Sequence, residues 1–344
     1  MYEFFSGGGW PQDDLPPDLT GEALAMLWAV LADFQALGTV HTLTTLDCRI
    51  DPRLRDLPAD EVLLIQPHEF EWGFNTMLNQ SDLALVIAPE TDGILARLSR
   101  MVEERGIPLL GSYSYAIKVA GDKEACYRLF IEAGLPTPPT LKTSIARIRQ
   151  AAEGFGFPLV TKPLDGVGSE GVCLLNSPLD FDRAVEILYR QTKHAEILLQ
   201  KFVPGEHASV SLLVSDQGIL PLSLNGQQIE VGSPFTYKGG VIPLEHPLQS
   251  RALENASKAA GLIQGLQGYV GVDLILDGQE AWVIEVNPRI TTSYIGLRQV
   301  LDMNLAGAIY KACCNGSLPE RVLLTGRIVF SKNQVGRVPY PITP

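Results

Sequence analysis

The run Trp282-Val283-Ile284-Glu285-Val286-Asn287-Pro288-Arg289 restricts the fold more than any other stretch of the 344-residue chain. Its apolar, β-branched half reads as a buried strand. Alternate positions at its end then carry a carboxylate, an amide and a guanidinium on one face. Twelve residues before Glu285, Val270-Gly271-Val272-Asp273-Leu274-Ile275 sets a second carboxylate in another apolar strand. Asp277-Gly278-Gln279-Glu280 between them reads as a tight hairpin connection. Two facing carboxylates in buried strands repel and lose charge unless a cation sits between them. Oxygen ligands on a rigid scaffold suit Mg²⁺, which takes one or two carboxylates and completes its shell with phosphate and water. Arg289 is then placed to face the anionic product of a phosphoryl transfer, and the constellation reads as an enzyme site.

The bulk numbers narrow the class. With 46% hydrophobic and 19% charged residues the composition is that of an ordinary globular protein, long enough for two or three lobes with cores. A formal net charge of −12 argues against a nucleic-acid footprint and against anchoring on anionic lipid. The N-terminus lacks the basic and apolar regions of a signal peptide, and the apolar run from Ala23 to Ala32 is too short to span a bilayer. Cys48, Cys126, Cys173, Cys313 and Cys314 have no metal-ligand spacing, and reduced thiols in a cytoplasmic protein fit best.

Residues 20–37 carry a helical pattern ending at Gly38. Strands are expected at 39–46, 61–65 and 83–88, and a helix through Arg105, so residues 1–112 read as an open α/β sheet. The loop Pro89-Glu90-Thr91-Asp92-Gly93 follows a strand end, where ligands bind in such sheets. After a helix at 122–133 and a proline-rich linker the chain turns strand-rich, with strands at 159–162, 172–175, 197–202, 209–214 and 220–224. A helix at 251–264 precedes the carboxylate strands. The expected units are 1–112, 113–195, 196–330 and a proline-rich tail, 331–344.

Asp165-Gly166-Val167-Gly168-Ser169-Glu170-Gly171 contains GxGxxG, but strand rather than helix follows it. A strand, a glycine turn and a second strand make a flap whose amides close over phosphates, with Gly166, Gly168, Ser169 and Gly171 supplying the freedom. Lys162 ends the incoming strand within reach of the same phosphates.

The segment Leu198 to Val210, with Gln200-Lys201-Phe202-Val203-Pro204-Gly205-Glu206 at its centre, resembles the adenine-edge signature of the ATP-grasp superfamily. The resemblance extends over nearly the whole chain, up to the Asn-Pro-Arg strand. It implies an α/β ATP-grasp fold behind an N-terminal pre-ATP-grasp domain, with ATP held between two lobes. It implies that Lys123 and Lys162 contact ATP phosphates, that Gln200 faces the adenine amino group, and that Lys201 and Val203 give backbone contacts. Glu206 or His207 meets the ribose. Asp273, Glu285 and Asn287 hold Mg²⁺, with Mn²⁺ the other candidate, and Lys162 and Arg289 are the catalytic cations. Two positions depart from the superfamily pattern: Asp273 and Gln200 both stand where glutamate is common.

Within the superfamily the chain looks most like the tyramine–glutamate ligases of methanofuran-type cofactor synthesis. The matching pieces are Glu3 to Gly9, Ala88 to Gly93, Tyr237 to His246 and Asn287 to Tyr294. The resemblance implies amide formation from ATP, a small-molecule acid and an amine, through an acyl phosphate. Glutamate is the expected acid, tyramine or tyrosine the amine, and a homodimer is compatible. Glu90, Asp92 or His246 is expected to take the amine's proton. Lys238, Thr291, Thr292 and Ser293 are further substrate candidates, the last three at a helix N-terminus. Ligation of another acid and amine pair stays open, as does a regulator that binds ATP without turnover. A biotin-dependent carboxylase component fits less well, because no Met-Lys-Met acceptor occurs.

Overall fold

Short parallel strands and long helices form the N-terminal part of the computed structural model, which describes residues 1–164, 171–192 and 194–331. The elements are β1 (Tyr2–Glu3), α1 (Pro17–Leu37), β2 (Leu43–Asp47), β3 (Glu61–Ile65), α2 (Phe70–Leu78), β4 (Val86–Ile87) and α3 (Ile94–Glu103). β1 pairs with β4 and β2 with β3, both in parallel. The expected open sheet is therefore present as two short pairs, because the strand anticipated at 83–88 keeps ladder pairing only at Val86 and Ile87. α1 stops where the sequence indicates. Gly38 takes the left-handed conformation (φ 65°) that a residue with a Cβ adopts only under strain.

α4 (Ser114–Gly121) and α5 (Lys123–Glu132) lead into a four-stranded antiparallel sheet. Asp122 caps α5, its Oδ1 accepting from the backbone of Glu124 and Ala125 at 3.0 Å each. This sheet comprises β5 (Thr140–Ser144), β6 (Leu159–Pro163), β7 (Cys173–Leu175) and β8 (Glu196–Lys201), with α6 (Ile148–Glu153) and α7 (Phe181–Gln191) between them. The strand order is β5-β8-β6-β7. Because β8 lies between β5 and β6, the small lobe runs to Lys201 and the boundary expected at 195 moves past it. Its own core forms around Leu159, Leu175, Phe181, Leu188 and Ile197.

The third part is built on β9 (Glu206–Ser215), β10 (Gly218–Glu230), β11 (Thr236–Ile242), α8 (Gln249–Gly261), β12 (Gly268–Leu276), β13 (Ala281–Asn287), α9 (Ser293–Val300), α10 (Leu305–Asn315) and β14 (Ile328–Ser331). The strands make one antiparallel sheet in the order β13-β12-β9-β10-β11-β14. β11 was not anticipated, and β14 carries the sheet through Ser331, where a tail was expected; residues 332–344 of that tail lie outside the described residues. α8 presents Ala252, Ala256, Ala259 and Ala260 to one face, small side chains that let a helix approach the sheet. α1, α9 and α10 cover the other face. Among the described residues no helix is long and apolar enough to cross a membrane.

α1 is tied to α9 by a buried carboxylate. Asp33 accepts from the Tyr294 hydroxyl at 2.6 Å and from Arg298 Nε at 2.8 Å. Removing the carboxylate strands both donors in a low-dielectric interior. Asp33→Ala is expected to cost about 3 kcal/mol. A shift in the urea midpoint measures it, and Tyr294→Phe, which removes one donor only, should cost less.

Candidate functional site

The two carboxylate strands pair in antiparallel register, and Asp273 lies directly across from Glu285, with Gly271 across from Asn287. Burial and the facing Glu285 push the Asp273 carboxyl up to about 7. Gln227 Nε2 donates to its Oδ1 at 3.0 Å and Asn287 Nδ2 to its Oδ2 at 3.1 Å. Burial works against ionised Glu285 as well, but the Lys123 and Lys162 ammonium groups hold it below the usual carboxylate range. Lys123 Nζ stands 2.8 Å from Glu285 Oε2. Lys162, at the end of β6 in the small lobe, is brought down to about 8 by burial, against the pull of Glu285.

Arg289 follows on the same strand exit. Its Nε and Nη2 donate to the two oxygens of Glu90 at 3.0 and 3.1 Å, a two-point pair that fixes the guanidinium plane. Both side chains are about one-tenth exposed. The loop expected to wall a site thus reaches it through Arg289, 199 positions away in sequence.

A cavity of about 410 Å³ lies between the two sheets. Lys123, Lys162, Gly171, Gln200, Lys201, Val203 and His207 line it, as do Asp273, Glu285, Asn287, Arg289, Thr291, Thr292 and Ser293. The other expected site residues behave differently. Glu90 is behind Arg289, outside the lining. Asp92 is a half-exposed loop residue with positive φ (54°), 3.6 Å from His194. Glu206 points to His246 at 3.9 Å, so only its neighbour His207 lines the cavity. Lys238 is on β11 with Nζ 3.1 Å from Glu230; alternation along the strand turns Tyr237 to the cavity and Lys238 away. His246 accepts from the Leu248 backbone and does not reach the lining. Gly166, Gly168 and Ser169 lie outside the described residues.

Gln200 departs from the expected glutamate in an informative way. Thr140 spends its hydroxyl hydrogen on Pro138 O at 2.8 Å, so it can only accept from Gln200 Nε2, also at 2.8 Å. The amide orientation is thereby fixed, and Oε1 is the acceptor left to face a ligand. Behind Thr291, a chain of hydroxyls runs into the sheet: Thr291 to Tyr269 at 3.2 Å and Tyr269 to Ser211 at 2.8 Å.

Sequence reasoning missed several cavity residues. Gln227 comes from β10, where no residue pattern marks it. Tyr237 comes from the unanticipated β11. Glu3, Phe5, Glu22 and Met26 come from the N-terminal part, where they read as core or surface. Only the matching of Glu3 to Gly9 with known ligases carried a signal for that segment.

The donor set suits a hard divalent cation. Two opposed carboxylates, one with its charge suppressed by the other, are joined on the same face by an amide. Among the described residues no group of three or more His, Cys, Asp or Glu could hold a metal. The remaining ligands would therefore come from phosphate and water.

Comparison with known proteins agrees with this geometry. Residues 120–293 match the model of the ATP-grasp domain, and residues 40–117 that of the pre ATP-grasp 3 domain. The tyramine–L-glutamate ligase of Methanocaldococcus fervens is 37% identical over 241 residues, 70% of this chain and 69% of that protein. Among solved structures, an ATP-grasp superfamily protein from Archaeoglobus fulgidus superposes with a TM-score of 0.66 at 25% identity, covering 93% of this chain and 88% of that one. A biotin carboxylase from Campylobacter jejuni superposes with a TM-score of 0.74 at 16% identity, covering 88% and 72%, a likeness of fold alone. The chain belongs to the ATP-grasp family.

Proposed function

We propose that the chain joins the carboxylate of L-glutamate to the amine of tyramine, forming an amide at the expense of ATP. The observation that carries this reading is the opposed Asp273–Glu285 pair in one cavity with Lys123, Lys162 and Arg289. The chain is an ATP-dependent, ADP-forming ligase of C–N bonds, and the likeness to the Methanocaldococcus fervens ligase supports the choice of acid and amine.

A carboxylate does not accept an amine directly, since oxide would have to leave. Its oxygen attacks the γ-phosphate of ATP, ADP departs, and the amine then attacks the acyl carbon of the acyl phosphate and displaces free phosphate. Phosphoryl transfer asks mainly for positioning and charge neutralisation. Lys123 and Lys162 face the phosphates from the small-lobe side, and Arg289, held in plane by Glu90, faces the acyl phosphate. Gln200 Oε1 takes the adenine amino hydrogen, with backbone at Lys201 and Val203 beside it and His207 toward the ribose. Asp273, Glu285 and Asn287 would hold Mg²⁺, which when bound neutralises charge on the terminal phosphates. Thr291, Thr292 and Ser293, at the start of α9, would bind the substrate carboxylate, a reading supported by their place at a helix N-terminus.

With Mg²⁺, ATP, glutamate and tyramine the protein should release ADP, phosphate and the amide in equal amounts. Phosphate release with a different acid and amine pair, and none with this one, would overturn the assignment. Glu285→Gln should lower kcat on the order of 100-fold or more, with far-ultraviolet circular dichroism unchanged.

Glu90→Ala tests the positioning of Arg289. It leaves a buried guanidinium unpaired and free to turn, so kcat should fall on the order of 100-fold. The same change should cost about 3 kcal/mol of stability. Steady-state kinetics and denaturant titration read the two effects. Unchanged kcat would detach Arg289's orientation from catalysis.

A further inference from the structure

An alkylammonium has no lone pair, so the amide-forming step needs a group that accepts a proton beside the acyl phosphate. None of the acceptors expected from sequence meets this need. Glu90 has both oxygens on Arg289, and Asp92 and His246 do not line the cavity. Of the carboxylates that do, Asp273 and Glu285 face each other among amide and ammonium donors. Glu3 and Glu22 remain, both in the arm of the cavity walled by the N-terminal part.

That arm has the shape of a slot. Leu19, Glu22, Ala23 and Met26 share one face of α1 by their i, i+3, i+4, i+7 spacing, and all four line the cavity. The stripe passes from half-buried Leu19 and Glu22 to buried Ala23 and Met26. Phe5 adds an aromatic surface. Glu3 is 1% exposed and close enough to Arg289 to feel its charge. Its Oε2 accepts from Ser6 N at 2.7 Å and Ser6 Oγ at 2.6 Å, which fixes the carboxylate. Burial brings its carboxyl up to about 7, against the Ser6 hydrogen bonds and the Arg289 charge.

We propose that this arm is the amine subsite: it holds the ring of an aromatic alkylamine against Phe5, Leu19, Ala23 and Met26, and Glu3 accepts the proton the ammonium loses. The inference rests on the ligase reading above. The ammonium gives one proton to the Glu3 carboxylate, and the freed nitrogen pair attacks the acyl carbon. The C–N bond forms, the bond from the acyl carbon to the phosphate oxygen breaks, and phosphate leaves with the electron pair. The nitrogen's second proton goes to the departing phosphate, which leaves as hydrogen phosphate. Glu3 returns its proton to solvent before the next turnover.

Hydroxylamine separates the roles, because it is small and uncharged at neutral pH and so needs neither the slot nor the base. With ATP, Mg²⁺ and glutamate, Glu3→Gln should form glutamyl–tyramine on the order of 100-fold more slowly than the unsubstituted protein. Its hydroxamate formation should stay within about threefold. Leu19→Trp, which narrows the slot, should raise KM for tyramine roughly tenfold while KM for ATP and for glutamate stays within about twofold. Equal loss of both products in Glu3→Gln makes the carboxylate structural and overturns its proton role. Unchanged amide formation in Glu3→Gln, or unchanged KM for tyramine in Leu19→Trp, overturns the subsite. If the unsubstituted protein forms hydroxamate but no amide with tyramine, the choice of amine fails and the subsite with it. If it forms neither, the ligase reading itself fails.

Discussion

Two carboxylates set opposite one another in an antiparallel ladder are electrostatically unfavourable, and the arrangement of the cavity answers that cost. Asp273 and Glu285 cannot turn away, since strand register fixes their Cβ atoms on the cavity side and the opposite face is packed against α8. The compensation is asymmetric. Glu285 keeps its charge because Lys123 approaches from α5 and Lys162 from β6 of the small lobe, while Asp273 is supported by neutral amides and titrates high. One side of the pair is therefore bound to the other lobe, and the other side is short of positive charge. On the proposed function, a divalent ion would supply the positive charge the pair lacks, and nucleotide phosphates would compete with Glu285 for the lysines.

The charged contacts act beside an apolar one, since α5 packs Cys126 and Phe130 into the same core as Val272, Leu274 and Val283 of the carboxylate strands. The small lobe has its own core around Leu159 and Phe181, and Lys123 enters from the N-terminus of α5. Contacts between charged groups are exchangeable, whereas a packed interface resists opening. On the proposed function, nucleotide phosphates would take the place of Glu285 at Lys123.

Much of this was legible in the sequence wherever one short segment held both the secondary-structure signal and the chemistry. The carboxylate hairpin is the clearest case: period-two alternation placed Glu285, Asn287 and Arg289 on one face, although the turn length alone would set Asp273 across from Ile284 and an unforeseen bulge between Asp273 and Leu274 is what brings it across from Glu285. The helix end at Gly38 and the start of α5 at Asp122 were equally readable, because caps are local. The unreadable parts were long-range. Nothing near Glu90 says that its carboxylate will meet Arg289, and no pattern in β10 marks Gln227 as the donor to Asp273. β11 was hidden because Gly239 and Gly240 interrupt its strand character; Gly239 has a φ of 143°, and a Cβ there would meet Phe330 O at 2.1 Å. That glycine is required by the neighbouring β14, some ninety residues away in the chain.

The Arg289–Glu90 pair shows why the N-terminal part belongs to the site although it supplies neither the carboxylate pair nor the lysines. A guanidinium at a strand exit has several rotatable bonds, and in an open cavity it would neutralise whichever anion lay nearest, Glu285 included. Anchoring its Nε and Nη2 on a buried carboxylate behind it removes that choice and fixes where its charge points. The anchor comes from the loop after β4, and β4 pairs with β1, whose Glu3 also lines the cavity. One small parallel pair thus aligns the Arg289 guanidinium and the Glu3 carboxylate at one wall of the cavity. On the proposed function, the geometry of amide formation would be set by how β1 and β4 pair, and that of phosphoryl transfer by how β12 and β13 pair.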